Sequence, residues 1–115
     1  MRTTFRMEDE YITMVRGDTM SFGIEAEDGD GNPITFDTVF FTCKKTYADT
    51  TPIFQKKLGD GIEEVETGKY AVRVAPADTV NLEADRYVYD LQLALNGDVF
   101  TFKRGVLDIE VDVTR

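Results

Sequence analysis

Hydrophobic and polar residues alternate along most of this chain, and no long stretch has the spacing of an amphipathic helix. The longest regular alternation covers residues 87–96, with tyrosine and leucine on one face and mainly small or polar residues on the other. Shorter alternations cover residues 20–27, 39–44, 70–74 and 107–114. Clusters of Gly, Asp and Asn interrupt them at residues 28–33, 59–61 and 96–98. The pattern predicts about eight or nine short strands joined by turns.

Residues 78–90 give the most specific prediction. A short polar segment containing Leu82 leads into a strand that opens with Tyr87. In immunoglobulin-like sandwiches the hydroxyl of a tyrosine at this corner hydrogen-bonds to the backbone a few residues earlier in the chain. This bond fixes the crossing between the sheets. The segment before the strand has room for one helical turn. We therefore predict an all-β chain, an immunoglobulin-like β-sandwich of about 7–9 antiparallel strands that occupies residues 1–115 as one domain.

Finer predictions concern individual positions. Residues 62–66 are expected to form a hairpin with 53–58, and Gly105 to mark a bulge or bend. Phe40 and Phe54 are placed opposite the core-facing residues of their strands, so one of these faces could meet a neighbouring subunit. Core packing accounts for most aromatic residues in a small β domain, although exposed rings could also contact a sugar or a protein. The aromatic residues considered for such contacts are Tyr47, Phe54, Phe100 and Phe102, of which the alternation places the last two together on an inward face.

Composition limits the partners. The chain has 115 residues, 42% of them hydrophobic, and a formal net charge of −9. This hydrophobic content is that of a globular protein, and the negative charge repels phosphate backbones, so no nucleic-acid binding is expected. The densest basic cluster is small and diluted by acids; it comprises Lys44, Lys45, Lys56 and Lys57.

Cys43 is the only cysteine, so the chain cannot form an internal disulfide, as suits a reducing cytosol. The thiol shares an alternating face with Val39 and Phe41, and the chain has no histidine that could activate it. A core role is therefore expected. The first residues contain no apolar segment typical of a signal peptide, and no stretch approaches the roughly 20 apolar residues of a membrane helix. These features predict no membrane association.

Two short motifs have alternative interpretations. Asp28, Asp30 and Asn32 have the spacing that opens a calcium-binding loop. The pattern then fails, because Pro33 stands where glycine is needed and Val39 where a bidentate glutamate is needed. A polar hairpin turn is the favoured interpretation. Residues 16–18 spell the Arg-Gly-Asp tripeptide of integrin ligands, but they lie at a tight turn between strands, where glycine and aspartate are common.

Acid–base chemistry has little support. Glu83, Asp85 and Asp90 are close in sequence, but acidic residues account for 22 of the 115 positions. Without histidine, most hydrolytic constellations cannot be assembled. A glycosidase could still use two carboxylates, which would have to converge in a cleft. We predict no enzyme activity, no catalytic residues, no cofactor and no metal site.

Short turn and strand-edge motifs resemble a family of baseplate-type, tail-associated proteins from phages and prophages of Gram-positive bacteria, whose N-terminal domain is immunoglobulin-like. These motifs span most of the chain and carry no catalytic signature. They comprise residues 14–19, the alternation through Phe22 and Ile24, residues 28–34, 53–56, 59–62, 70–90 with the ending Y-x-Y-D, and 112–114. The resemblance implies a virion structural protein that docks to copies of itself or to another tail or head component. Longer members continue into a helical region and a receptor-facing module.

The expected function is therefore a structural or assembly role in a phage tail or baseplate. The expected partners are other phage structural proteins, with a possible homo-oligomer, and the expected location is the virion or the bacterial cytoplasm. The alternative is a carbohydrate- or cell-surface-binding module. A bare strand edge or a flat apolar patch would favour assembly. Exposed aromatic rings flanking a groove with Asp or Asn between them would favour carbohydrate binding.

Overall fold

The computed structural model describes residues 3–7 and 11–113. Nine strands and one helical turn occupy most of this part of the chain. In chain order they are β1 (Thr3–Met7), β2 (Tyr11–Val15), β3 (Met20–Asp28), β4 (Thr38–Lys44), β5 (Phe54–Leu58), β6 (Gly61–Glu66), β7 (Lys69–Val74), α1 (Pro76–Thr79), β8 (Arg86–Leu95) and β9 (Asp98–Glu110). The all-β prediction and the number of strands are confirmed. No helix in the described ranges has the length and apolar character that a membrane crossing requires.

The strands form one hydrogen-bonded sheet that folds back on itself into two layers. Their order is β1-β3-β7-β6-β5-β4-β8-β9-β2. In a flat sheet β3 and β4 would lie about 19 Å apart, since neighbouring strands are spaced by about 4.8 Å. Instead, the ring centroids of Phe22 on β3 and Phe41 on β4 are 5.3 Å apart. The layers β1-β3-β7-β6 and β5-β4-β8-β9-β2 therefore pack face to face.

The strand pairings include two parallel pairs, which differ from the antiparallel arrangement predicted throughout. β2 runs parallel to β9, because the chain passes from the edge of one layer at β1 to the edge of the other at β2. β5 and β6 share only two parallel residue pairs, Lys57 with Gly61 and Leu58 with Ile62. The predicted hairpin between these two segments is wrong. The chain changes layer there, and β6 pairs antiparallel with β7.

The tyrosine corner is present as predicted. The Tyr87 hydroxyl donates a hydrogen bond to the backbone oxygen of Glu83, at 2.8 Å. The core-facing residues of β8 that follow are buried up to Leu93, and Leu95 is partly buried against the core. α1 supplies the expected helical turn, with the Asp78 carboxylate accepting the N–H of Ala75 at 2.7 Å. Lys56 Nζ lies 2.7 Å from the same carboxylate and ties α1 to β5.

Two side-chain placements and the position of one bulge differ from the predictions. Phe54 packs on the core, with its ring centroid 6.2 Å from that of Phe41, and so does not face outward. Phe100 is 43% exposed, because it lies near the tip of the β8–β9 hairpin. The side chain of Phe102 lies outside what the structure describes. The bulge predicted at Gly105 is wrong, because Gly105 pairs with Tyr89 and the register shift lies between Thr101 and Lys103.

The alternation predicted for the end of the chain also fails beyond Ile109. β9 ends at Glu110, and Val111 and Val113 are exposed, whereas Asp112 is buried. Arg16 Nε donates to Asp112 Oδ1 at 2.8 Å, so an ion pair turns the carboxylate inward after regular strand geometry has stopped. Thr114 lies outside the described residues.

Cys43 is fully buried in the core, as predicted. Burial raises the pKa of its thiol to about 12, whereas an exposed thiol ionises near pH 8.5. The neutral thiol therefore contributes fully to stability below the unfolded pKa, and this contribution is lost as the pH rises towards the folded pKa. We expect the free energy of unfolding to fall by up to about 1.4 kcal/mol per pH unit above pH 8.5 from this group alone.

Chemical unfolding of the native protein and of Cys43→Ala between pH 8 and 11 measures this contribution. The tyrosines and lysines titrate in both proteins, so the difference between the two pH profiles isolates the thiol. Parallel profiles would contradict the assignment of Cys43 as a buried, protonated group.

Candidate interaction surface

The candidate calcium loop is a hydrogen-bonded turn. Asp28 Oδ1 accepts the backbone N–H groups of Asp30 and Asn32, at 2.9 and 3.0 Å. These bonds hold the pKa of the Asp28 carboxyl below its usual range, because they stabilise the charged form. The turn prediction is confirmed. Among the residues that the structure describes, no group of three or more acidic, cysteine or histidine side chains could hold a metal ion.

The Arg-Gly-Asp segment is fastened to the body of the domain. Arg16 donates to the backbone oxygen of Leu82 at 3.1 Å, in addition to its ion pair with Asp112. The N–H of Gly17 donates to the buried hydroxyl of Thr79 at 2.8 Å, and Gly17 has a φ of 80°, which glycine adopts without strain. The segment is the tight turn predicted between β2 and β3, and its arginine is engaged within the fold.

Of the carboxylates considered for acid–base chemistry, Asp85 and Asp90 lie far apart. Asp85 forms an ion pair with Lys45, and hydrogen bonds from Lys45 and the Arg86 N–H hold its pKa below the usual range. Asp90 lies further along β8, on the outer face of the layer. Five residues of extended chain span about 16 Å. That distance exceeds the carboxylate separations used in glycoside hydrolysis.

A polar depression lies on the outer face of β4, β8 and β9. Its volume is about 160 Å³, and its lining includes Asp90, Tyr47 and Arg104. The Tyr47 hydroxyl donates to the backbone oxygen of Gly105 at 2.9 Å. The Arg104 guanidinium lies 5.3 Å from the centroid of the Tyr47 ring, in a cation–π contact. The depression therefore has one exposed aromatic ring, and Arg104 already covers part of it.

An open strand edge lies beside this depression. β2 pairs with β9 only over Val106–Glu110. No strand in the described part of the chain pairs with the other side of residues 98–104, opposite β8. We call this side of Asp98–Arg104 the β9 edge. Val99 and Phe100 on it are 64% and 43% exposed. Unpaired backbone beside exposed apolar side chains is a template for pairing with another strand.

The direction of the backbone groups on the β9 edge follows from the β8–β9 register. The Ala94 oxygen accepts the N–H of Asp37 at 2.8 Å, so Ala94 directs its backbone groups away from β9. Ala94 is the partner of Val99, and this pair is therefore one that exchanges no hydrogen bonds. The N–H and C=O of Val99 consequently point outward, and alternation gives the same direction to Thr101. The sequence analysis did not predict this edge. The part of β9 that has a neighbouring strand depends on where β2 ends, which the sequence pattern does not show.

Comparisons with known proteins give a fold. No family model matches the chain, and no curated protein matches it. A crystal structure of domains 4 and 5 of the S-layer protein SbsC is similar with a TM-score of 0.56 at 15% identity, covering 93% of this chain and 51% of that one. This chain therefore spans about half of that structure.

Two further solved structures are similar along nearly their whole length. Murine CRIg aligns with a TM-score of 0.52 at 11% identity, covering 97% of this chain and 99% of that one. A chain from a structure on T cell specificity and activation by the superantigen toxic shock syndrome toxin-1 aligns with a TM-score of 0.55 at 10% identity, covering 96% and 99%. Together with the two layers and the tyrosine corner, these similarities show that the chain has an immunoglobulin-like β-sandwich fold.

Proposed function

We propose that this chain is a non-enzymatic protein-interaction module that binds its partner by adding a strand to the β9 edge. The observation that carries the proposal is the open backbone of residues 98–104 beside the exposed Val99 and Phe100. An added strand would satisfy the outward N–H and C=O groups of Val99 and Thr101 and would cover their apolar neighbours. The separation of Asp85 from Asp90 supports a role without catalysis.

The more specific proposal is a structural role in the tail or baseplate of a phage or prophage. It rests on the sequence resemblance described above, and its partners would be other structural proteins of the same particle. Assembly in the bacterial cytosol agrees with a chain that has one cysteine, and that cysteine is buried. The net charge of −9 would keep the unassembled chain soluble and would suit a basic surface on the partner.

Proline at position 99 tests strand addition. We expect Val99→Pro to weaken partner binding at least about tenfold, because it removes an outward hydrogen-bond donor. The β8–β9 ladder does not use this N–H, so the fold should tolerate the change, as edge strands tolerate proline. Val99→Ala is the matched control, since it shortens the side chain but keeps the N–H. Its affinity should stay within about threefold of the native value.

The probes are the proteins encoded by the genes on either side of this one, each co-expressed and purified with it. Titration calorimetry then compares the native chain with the two variants. Equal weakening by proline and alanine would point to side-chain contact and contradict strand addition. Unchanged affinity in both variants would remove the β9 edge from the interface.

A carbohydrate-binding module is the second candidate. The observation that favours it is the exposed Tyr47 ring beside Asp90 in the polar depression, since aromatic faces next to carboxylates suit sugar rings. A glycan array read with the native chain and with Tyr47→Ala separates the two candidates. Glycan binding that disappears in the variant would support the carbohydrate function, and an array without signal would leave protein interaction as the function.

A further inference from the structure

We infer that the polar depression on the outer face of β4, β8 and β9 is a carboxylate-binding subsite, in which Lys44 and Arg104 bind an acidic side chain of the partner protein. The inference rests on the proposed function and names the type of residue that the partner presents beside the β9 edge. Arg104 belongs to both surfaces, because it is the last residue of the edge and also lines the depression.

The basic cluster noted in the sequence separates into paired and unpaired lysines in the structure. Lys45 and Lys56 each form an ion pair with an aspartate. Lys44 lies opposite Val88, so no acid faces it across the strands. Within the described ranges Lys44 Nζ has neither an ion pair nor a hydrogen bond. Its charge is therefore available to a ligand in the depression.

An aromatic ring, and not an acid, holds Arg104 in place. Asp90 is its cross-strand partner on β8, yet the guanidinium lies 5.3 Å from the centroid of the Tyr47 ring. The Tyr47 hydroxyl is fixed in turn by its hydrogen bond to the Gly105 oxygen. Arg104 forms no ion pair with any residue that the structure describes. The contact with the ring therefore orients the guanidinium and leaves its hydrogen-bond donors for a ligand.

The lining of the depression suits a single negative charge. Its two cations, Lys44 and Arg104, outnumber its one carboxylate, Asp90, although the whole chain has a net charge of −9. The buried Thr42 hydroxyl accepts a hydrogen bond from Gln55 Nε2 at 2.9 Å and keeps its own hydrogen to donate. A carboxylate fits these donors, because an arginine can bind both of its oxygens. A phosphate group carries up to about two negative charges, and Asp90 would repel the second.

The size and position of the depression favour a protein side chain as the source of the carboxylate. Its volume of about 160 Å³ is well below the roughly 300–1,000 Å³ that is usual for sites enclosing a small molecule. It therefore accommodates one acidic group and little of the molecule that carries it. A strand that follows the β9 edge to its end places a residue beside Arg104, with the two Cβ atoms about 5 Å apart. An aspartate or glutamate there lies next to the guanidinium.

Titration with single amino acids tests the subsite without the partner. The probe is glutamate blocked by acetylation and amidation, whose only charge is the side-chain carboxylate. Blocked glutamine is its neutral counterpart. Amide chemical shifts in NMR spectra of the native chain, recorded at constant ionic strength, report binding. We expect blocked glutamate to give saturable shifts around the depression with a dissociation constant of about 100 mM or less, and blocked glutamine to give none.

Four variants locate the subsite by its charges. Arg104→Gln and Lys44→Gln should each lower the association constant for blocked glutamate at least about fivefold, because each removes one of the two cations. Asp90→Asn should raise this constant at least about threefold, because the repelling carboxylate is gone. Arg73→Gln is the matched control, since it removes the same guanidinium from an exposed position on β7 in the opposite layer. It should leave the constant within about twofold of the native value.

Three outcomes of these titrations would overturn the inference. They are the absence of saturable shifts with blocked glutamate, equal binding of blocked glutamine, and unchanged binding in both Arg104→Gln and Lys44→Gln. The methyl glycoside of glucuronic acid is a third probe. If it binds at least about tenfold more tightly than blocked glutamate, the occupant is an acidic sugar and the assignment to a protein side chain is wrong. The amide spectrum of each variant also shows whether it is folded.

Affinity for the partner protein separates the inference from the proposed function. Loss of the complex in Val99→Pro with native affinity in Arg104→Gln would overturn the inference and leave strand addition standing. Native affinity in Val99→Pro with at least about tenfold weaker binding in Arg104→Gln would overturn strand addition and keep the carboxylate subsite. We expect both variants to weaken the complex, and Arg73→Gln to leave it unchanged.

Discussion

Replacing Phe41 by alanine is expected to lower the free energy of unfolding by about 3–5 kcal/mol, the usual cost of deleting a large buried aromatic side chain. Phe41 is fully buried. Its ring centroid lies 5.3 Å from that of Phe22 on the opposite layer and 5.2 Å from that of Tyr89 on the neighbouring strand. The change therefore removes contacts within one layer and between the two, and leaves a cavity that neither sheet can close alone.

Denaturant unfolding monitored by circular dichroism measures this effect. Phe100→Ala is the matched control, since it deletes the same side chain at a 43% exposed position. In dilute solution, where association contributes nothing, it should cost no more than about 1 kcal/mol. Similar losses at the two positions would contradict the placement of Phe41 at the contact between the layers.

Arg16→Ala is the second change with a large expected effect, a loss of about 3–5 kcal/mol in the free energy of unfolding. The Asp112 side chain is only 2% exposed, and Arg16 Nε lies 2.8 Å from its Oδ1. Alanine leaves this carboxylate buried without the guanidinium, and it also removes the hydrogen bond to the Leu82 oxygen. Most of the loss is the cost of a buried charge that has lost its ion pair with Arg16.

A double-mutant cycle with Asp112→Ala separates that cost from the other contacts of Arg16. We expect the double variant to be more stable than Arg16→Ala alone, because the buried carboxylate is gone. The exposed ion pair between Lys69 and Glu66 serves as the control, and Lys69→Ala should change stability by less than about 1 kcal/mol. Additive losses at Arg16 and Asp112 would show that the pair is not coupled.

The part of the fold that was predictable from sequence depends on local signals. The alternation from Tyr87 to Leu95 requires one buried face, and the structure buries that face. Asn96 and Gly97 have φ values of 52° and 87°, the left-handed values that a two-residue hairpin turn demands. Each of these signals acts over a few residues, so tertiary contacts did not need to be known.

The sequence predictions failed where contacts between residues far apart in the sequence determine the structure. Phe54 faces the core because β5 lies at the fold between the layers, which period-two alternation does not reveal. Phe100 is exposed because the β8–β9 hairpin extends beyond the strands that cover the rest of it. This depends on the relative lengths of the strands. Asp112 is buried because Arg16, far away in sequence, reaches it. The β9 edge was missed for a related reason, since it depends on where β2 stops.

The parallel pairing of β2 with β9 constrains how the protein can be made. Tyr11 and Asp108, whose side chains form a hydrogen bond, are 97 positions apart. During synthesis β2 cannot pair with β9 until every intervening strand has left the ribosome. The Arg16–Asp112 ion pair forms only after that. Such long-range pairings slow folding. During synthesis the nascent chain therefore presents an additional unpaired strand, and a chaperone or an early partner would find its best opportunity to bind in that interval.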